Sequence, residues 1–276
     1  MRKLLRAGFA RLWREKVFLL SCGVMLLVGA ALPVIHYLDN RTSGEGWTPD
    51  ATCFIYAILV PILLAPVTAL FVGCEYSDGT MRSKLIVGGR RWQIYLANFI
   101  LSTAAGFVLC AVYLAVHTGL GLLLLGGFTA APKELLLHAG VIFALTAAFA
   151  ALFVLIAMLC RNRAYSAAAC ILLVFALLFA GIRMTSALNE PEYYEGYSYT
   201  SGDVTVTEEA ERNPHYLKGT KREIFEFLNE FIPGGQALKL ANGNAEKPAM
   251  LALYDGLILL AATGCGIIVF RKKDLK

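Results

Sequence analysis

Residues 135–159 read LLLHAGVIFALTAAFAALFVLIAML, a run without one acidic or basic side chain apart from His138. A spanning helix needs about 20 mostly apolar residues to cross about 30 Å of hydrocarbon, and this run is longer than that. Five more runs of the same kind lie on either side of it, at 17–37, 51–74, 94–125, 164–184 and 249–270. All are continuous rather than alternating, which selects helices over a barrel. The sequence therefore predicts an all-α integral membrane protein with six transmembrane helices, organised as one domain over residues 1–276. The 94–125 run is overlong and interrupted near Gly119, Gly121, Gly126 and Gly127, so it is expected to tilt or to end early.

Composition agrees with this reading. Hydrophobic residues make up 58% of the chain and charged residues 16%, against roughly 45–50% and 25% in soluble domains. Mean hydropathy is +0.62. Such a chain is neither a soluble enzyme nor a solvated coil.

Charge gives orientation. Arg2, Lys3, Arg6, Arg11, Arg14 and Lys16 precede the first span, and Arg82, Lys84, Arg90 and Arg91 lie between the second and third. Arg161 and Arg163 link the fourth and fifth, and Arg271, Lys272, Lys273 and Lys276 follow the sixth. The short loops on the other side carry only Arg41 and Lys133. Under the positive-inside rule both termini are cytoplasmic. The net charge of +5 hides this split and gives no argument for nucleic acid. Trp13, Trp47 and Trp92 fall at the expected membrane borders, where indoles prefer to sit. The first apolar run is too long for the core of a cleaved signal. The seven cysteines lie in or at the ends of the spans, with no C-x-x-C and no Cys/His cluster, so a zinc site is not expected.

Between the spans, residues 1–16 place Leu5, Phe9, Leu12, Trp13 and Lys16 at helical spacing, which predicts an amphipathic helix on the inner face. Pro61 and Pro66 fall inside the second span and predict a kink. The segment Glu75–Ile94, EYSDGTMRSKLIVGGRRWQI, is far longer than a minimal turn. It has room for a short helix broken at Gly88-Gly89. Glu75 stands where apolar span meets basic segment. A carboxylate there reads as too exposed for a core residue, and it has no metal-ligand neighbours. It can accept from the first turn of a following helix or pair with an arginine, and Gly79 can supply the close turn.

Residues 189–248 form the one large segment outside the membrane. They open acidic and Tyr-rich, with a weak hairpin signal at Tyr197–Thr207 around Ser201-Gly202. An amphipathic helix follows at Lys221–Ile232, stopped by Pro233-Gly234-Gly235. His36, His117, His138 and His215 are scattered, and His117, the one well inside a span, reads as a neutral ring with one hydrogen bond. Asp255 and Arg183 are expected to reach the interface by snorkelling. No P-loop, H-E-x-x-H or G-x-S-x-G occurs, so no catalytic, cofactor-binding or metal-binding residue is assigned.

The layout resembles the ABC-2 type permeases, the membrane subunits of ATP-binding-cassette transporters. The residues that carry the resemblance are Glu75-x-x-x-Gly79-Thr80-Met81-Arg82, then Leu85-Ile86, Arg90/Arg91 and Ile94-Tyr95. Phe227-Leu228 through Ile232-Pro233 to Gly235-Gln236 is similar to the family's segment before the last span. The chain departs from many members at Gly88-Gly89, where they carry proline, and near Asn98, where they carry lysine. The resemblance implies an exporter of the cell membrane, bacterial in type. A separate ATPase subunit, holding ATP and Mg, would dock under Glu75–Ile94. Glu75, Gly79 and Thr80 would shape the coupling helix. Arg82, Lys84, Arg90 and Arg91 would meet the ATPase or lipid phosphates. A second permease copy or a homologous permease is implied, and the small-residue runs Ala147–Ala151, Ala167–Ala169 and Gly264/Gly266 offer it close contact. The alternative is a non-transporting membrane scaffold or sensor that binds through the Tyr-rich segment.

Overall fold

In lipid a backbone must satisfy its own polar groups, so apolar runs of this length form helices. The computed structural model describes residues 1–160, 162–194, 198–201, 204–207, 211–245 and 247–273. Among them a short α1 (Arg2–Leu12) leads into six elements long and apolar enough to cross a membrane. These are α2 (Lys16–Thr42), α3 (Asp50–Cys53) with α4 (Tyr56–Ser77), α6 (Arg91–Leu124), α7 (Pro132–Leu159), α8 (Arg163–Leu188) and α11 (Pro248–Lys272). Between α4 and α6 lies α5 (Thr80–Ile86). Two short helices, α9 (Thr220–Phe231) and α10 (Pro233–Ala241), precede α11. The chain is an all-α integral membrane protein.

The helices outrun the apolar runs at most ends. α2, expected over 17–37, continues to Thr42 through Asp39 and Arg41. The hydrocarbon slab dictates the apolar length, whereas backbone hydrogen bonding carries the helix on into the interface. The second span is divided: α3 ends at Cys53, and α4, with Pro61 and Pro66 inside it, starts at Tyr56. α6 does not end early. It passes Gly119 and Gly121 and stops at Leu124, before Gly126 at φ +91°. Its 34 residues span about 51 Å.

α7 is the most buried span and α4 the next, whereas α2, α8 and α11 keep most of their surface outward. α7 packs on α4, α6, α8 and α11, and α4 packs on α2, α6, α7 and α8. Phe149 and Phe153 of α7 are fully buried. Ala147–Ala151 is also buried inside the protomer, which removes that run as a contact for a second copy. Gly266 is likewise covered, because a Cβ there would overlap the Tyr95 hydroxyl. Outward faces carry Leu20, Leu27, Leu172, Phe179 and Leu260.

Pro233-Gly234-Gly235 ends α9, but it also begins α10. Pro233 takes the first position of α10, where its missing N–H costs nothing. Gly234 allows backbone contact with α8, and Gly235 lies against Asn229 of α9. A Cβ on Gly234 would lie 1.9 Å from the Leu177 carbonyl oxygen, and one on Gly181 would lie 2.6 Å from the Gly234 carbonyl carbon. α10 is thereby buried against α8, with α4 and α7 alongside. α9 packs on α8, α10 and α11, and Phe227 and Phe231 meet Tyr254 edge-on.

The hairpin expected in the large segment is present as β2 (Ser198–Ser201) and β3 (Val204–Thr207), with Ser201 paired to Val204. Tyr197 and Gly202 lie outside the described residues. β1 (Tyr193–Tyr194) pairs with β4 (Glu211–Arg212). His117 is buried, with Nε2 3.0 Å from the Thr52 hydroxyl and its ring stacked on Tyr113. Asp255 does not snorkel. Packing covers it to 1% exposure, and neither carboxylate oxygen has a hydrogen-bond partner among the described residues. A short aspartate on an inward face cannot extend along the helix as a lysine does.

Candidate functional site

The expected coupling segment forms a helix because glycines bound it. Gly79 takes φ +67° as α4 turns into α5, a region that favours a residue without Cβ. At the other end Gly88 adopts φ +92°. The Gly88 N–H donates to Leu85 O at 2.9 Å and the Gly89 N–H to Lys84 O at 2.9 Å, which is the Schellman closure. The Thr80 hydroxyl donates to Glu75 O at 3.1 Å and closes the end of α4.

Glu75 is the centre of this junction and is not exposed. Its side chain is 1% accessible. One carboxylate oxygen accepts from Arg11 Nη1 at 3.1 Å and from Lys84 Nζ. The other accepts from Asn98 Nδ2 at 3.1 Å. Arg11 also donates to Phe71 O and lies 3.8 Å above the Phe71 ring. One carboxylate therefore joins α1, α4, α5 and α6. Glu75 is covered, against the expectation from sequence, because the Arg11 side chain of α1 reaches the end of α4 and lies over Phe71. Leu4, Leu5, Phe9 and Leu12 pack onto the core, and α1 lies against α6. Charge-assisted bonds of this kind are roughly twice as strong as neutral ones.

A second set of contacts ties the helix ends nearby. Arg91 Nη1 donates to Phe270 O at 3.1 Å and to Lys273 O. Lys273 Nζ donates to Met158 O at 2.8 Å and to Leu159 O at 2.9 Å, and the Tyr76 hydroxyl donates to Met158 O at 2.9 Å. Cations thus sit on the carbonyl ends of α7 and α11, where the helix dipole favours them. These contacts place the start of the chain, α5 and the end of α11 on one face of the bundle.

Of the residues singled out in the sequence, Glu75, Thr80 and Lys84 come together, with Gly79 in the turn between them. Arg91 belongs to the separate set of helix-end contacts. Arg82 and Arg90 are exposed. Pro61 and Pro66 stand nearer the start of α4, away from this junction. Lys84 and Arg91, expected to meet an ATPase or lipid, are engaged inside the chain. Ile86 and Val87, at the tip of α5, are 85% and 88% exposed. Sequence reasoning missed Arg11 and Asn98. Asn98 had a signal, a lone amide inside an apolar run. Arg11 read as one of several orienting cations.

A family model described as ABC-2 family transporter protein matches residues 4–179, from α1 into α8. No curated protein matches the chain. With nearly two thirds of its length matched, including every residue around Glu75, the chain belongs to the ABC-2 family of membrane transporter proteins.

Proposed function

We propose that this chain is the permease subunit of an ABC exporter, driven by a separate ATPase subunit that binds ATP and Mg and docks on α5. The observation that supports it is the pairing of an exposed apolar tip with a buried ionic root. Ile86 and Val87 stand open beside Arg82 and Arg90, and Lys84 of the same helix holds Glu75. An ATPase groove covering the tip moves α5, and the Lys84–Glu75 contact transmits that movement to α4 while Arg11 and Asn98 carry it to α1 and α6. The face with the termini is cytoplasmic, in keeping with its cations. The chain works with a second permease copy or a homologous permease in a cell membrane of bacterial type.

The test is co-purification. An ABC ATPase subunit that pairs with this chain, co-expressed with it, is expected to copurify with the wild type and not with the I86D/V87D double variant, which stays membrane-inserted. Equal recovery on both would contradict docking at α5. The permease alone is expected to show no ATP hydrolysis.

A further inference from the structure

On the face opposite the termini a cavity of about 750 Å³ opens between the α2–α3 loop, the start of α7 and the end of α10. Small-molecule sites span about 300–1,000 Å³. Its walls combine the rings of Trp47, Phe54 and His138 with the carboxylates of Glu45, Asp50 and Glu134, and no lysine or arginine lines it among the described residues.

The lining is built rather than incidental. Asp50 is fixed by two backbone donors, Thr129 N–H at 2.7 Å and Ala130 N–H at 3.3 Å. Glu45 accepts from the Trp47 indole N–H at 2.6 Å, and His36 stacks on Trp47 at 4.8 Å, so that ring is held in place. Phe54 stacks on His138 at 5.4 Å. His138 Nδ1 lies 2.9 Å from the Glu134 carbonyl oxygen. A carbonyl only accepts, so Nδ1 carries the hydrogen. The ring's Nε2 is buried and has no partner among the described residues.

We propose that this cavity binds an amphiphilic organic cation, whose ammonium or guanidinium N–H groups meet Glu134 and Asp50 and whose apolar body lies against Trp47 and Phe54. A metal ion is the wrong occupant, because no three His, Cys, Asp or Glu side chains converge at ligand spacing among the described residues. The carboxylates are spread around the cavity, as a distributed organic cation requires, and the rings add cation–π attraction. This inference stands apart from the coupling reading, since it needs neither ATPase nor transport.

Binding is read on the purified permease in nanodiscs. Trp13→Phe and Trp92→Phe leave Trp47 as the reporting indole. Phenethylamine, cationic at neutral pH, is expected to change Trp47 fluorescence saturably, and its uncharged analogue 2-phenylethanol is not. Glu134→Gln, whose carboxylate makes no hydrogen bond among the described residues, is expected to weaken phenethylamine about fivefold. Phenethyltrimethylammonium, a cation without an N–H, is expected to bind more weakly than the primary amine. A thermal-unfolding midpoint matching the parent confirms that Glu134→Gln is folded. Equal titrations with amine and alcohol, an unchanged affinity in Glu134→Gln, or equal binding of the quaternary cation would overturn the proposal.

Discussion

Two carboxylates in this membrane protein are buried to the same extent, and their surroundings are opposite. Glu75, at the termini face, is 1% exposed and holds two cations and an amide. Asp255, two turns inside α11 from the other face, is also 1% exposed, and neither of its oxygens has a partner among the described residues. Burial alone therefore says little about what a charged residue does. A carboxylate with partners organises the elements that supply them. One without partners costs stability where it sits, and removing the two should move stability in opposite directions.

The largest effect belongs to Glu75→Ala. It leaves Arg11 and Lys84 facing one another without the anion. Breaking a fully buried pair costs about 3–5 kcal/mol. Here the cations are 34% and 23% exposed and can turn toward water, so the loss should be nearer about 2 kcal/mol. Thermal unfolding in detergent should show a clearly lowered midpoint. An unchanged midpoint would mean the network adds nothing to stability.

Arg11→Ala comes next. It removes one ion pair and the contact with Phe71 but leaves Lys84 on Glu75, so about 1 kcal/mol is expected. Its particular signature is release of α1. Proteolysis within residues 1–16 should quicken while the spans stay protected. Equal cleavage of variant and wild type would show that packing alone holds α1.

How much of this was legible in sequence follows from the range of each interaction. The six spans could be read because the hydrocarbon thickness imposes a local run of apolar residues. α5 could be read because Gly79 and Gly88 punctuate it. The burial of Glu75 could not, because its partner Arg11 is 64 residues away and a carboxylate at a membrane border ordinarily faces water. α10 was hidden for a similar reason. Proline followed by two glycines signals a stop locally; the backbone of α8, more than 50 residues earlier, explains the need for Gly234, whereas Gly235 is required by the nearby Asn229 of α9. The run Ala147–Ala151 suggested an interface between copies, yet its small side chains serve packing within one protomer.

Asp255→Val gives the opposite sign. An apolar side chain of similar size removes a buried group without partners, and stability should rise by about 1 kcal/mol. A lowered midpoint would mean that the carboxylate has a partner in the working assembly. Smallest of all is Glu192, a surface carboxylate whose hydrogen bond from Lys218 holds it below its usual range. A depressed carboxylate contributes above its unfolded value and loses that contribution as pH falls through its folded one. Solvent screens this pair, so Glu192→Gln should leave the midpoint at pH 7 unchanged. A measurable drop would assign the β1–β4 region a larger role in stability.

In the proposed coupling, Glu75 transmits movement of α5 to the bundle. Hydrogen exchange on the complex with the proposed ATPase subunit, in nanodiscs with and without ATP and vanadate, tests this. In the wild type, nucleotide should change exchange in α5 and also in α1, in the last turns of α4 and at the start of α6. In Glu75→Gln, with the ATPase still bound, the change should remain in α5 and go no further. The same spread of exchange in Glu75→Gln as in the wild type would contradict the claim.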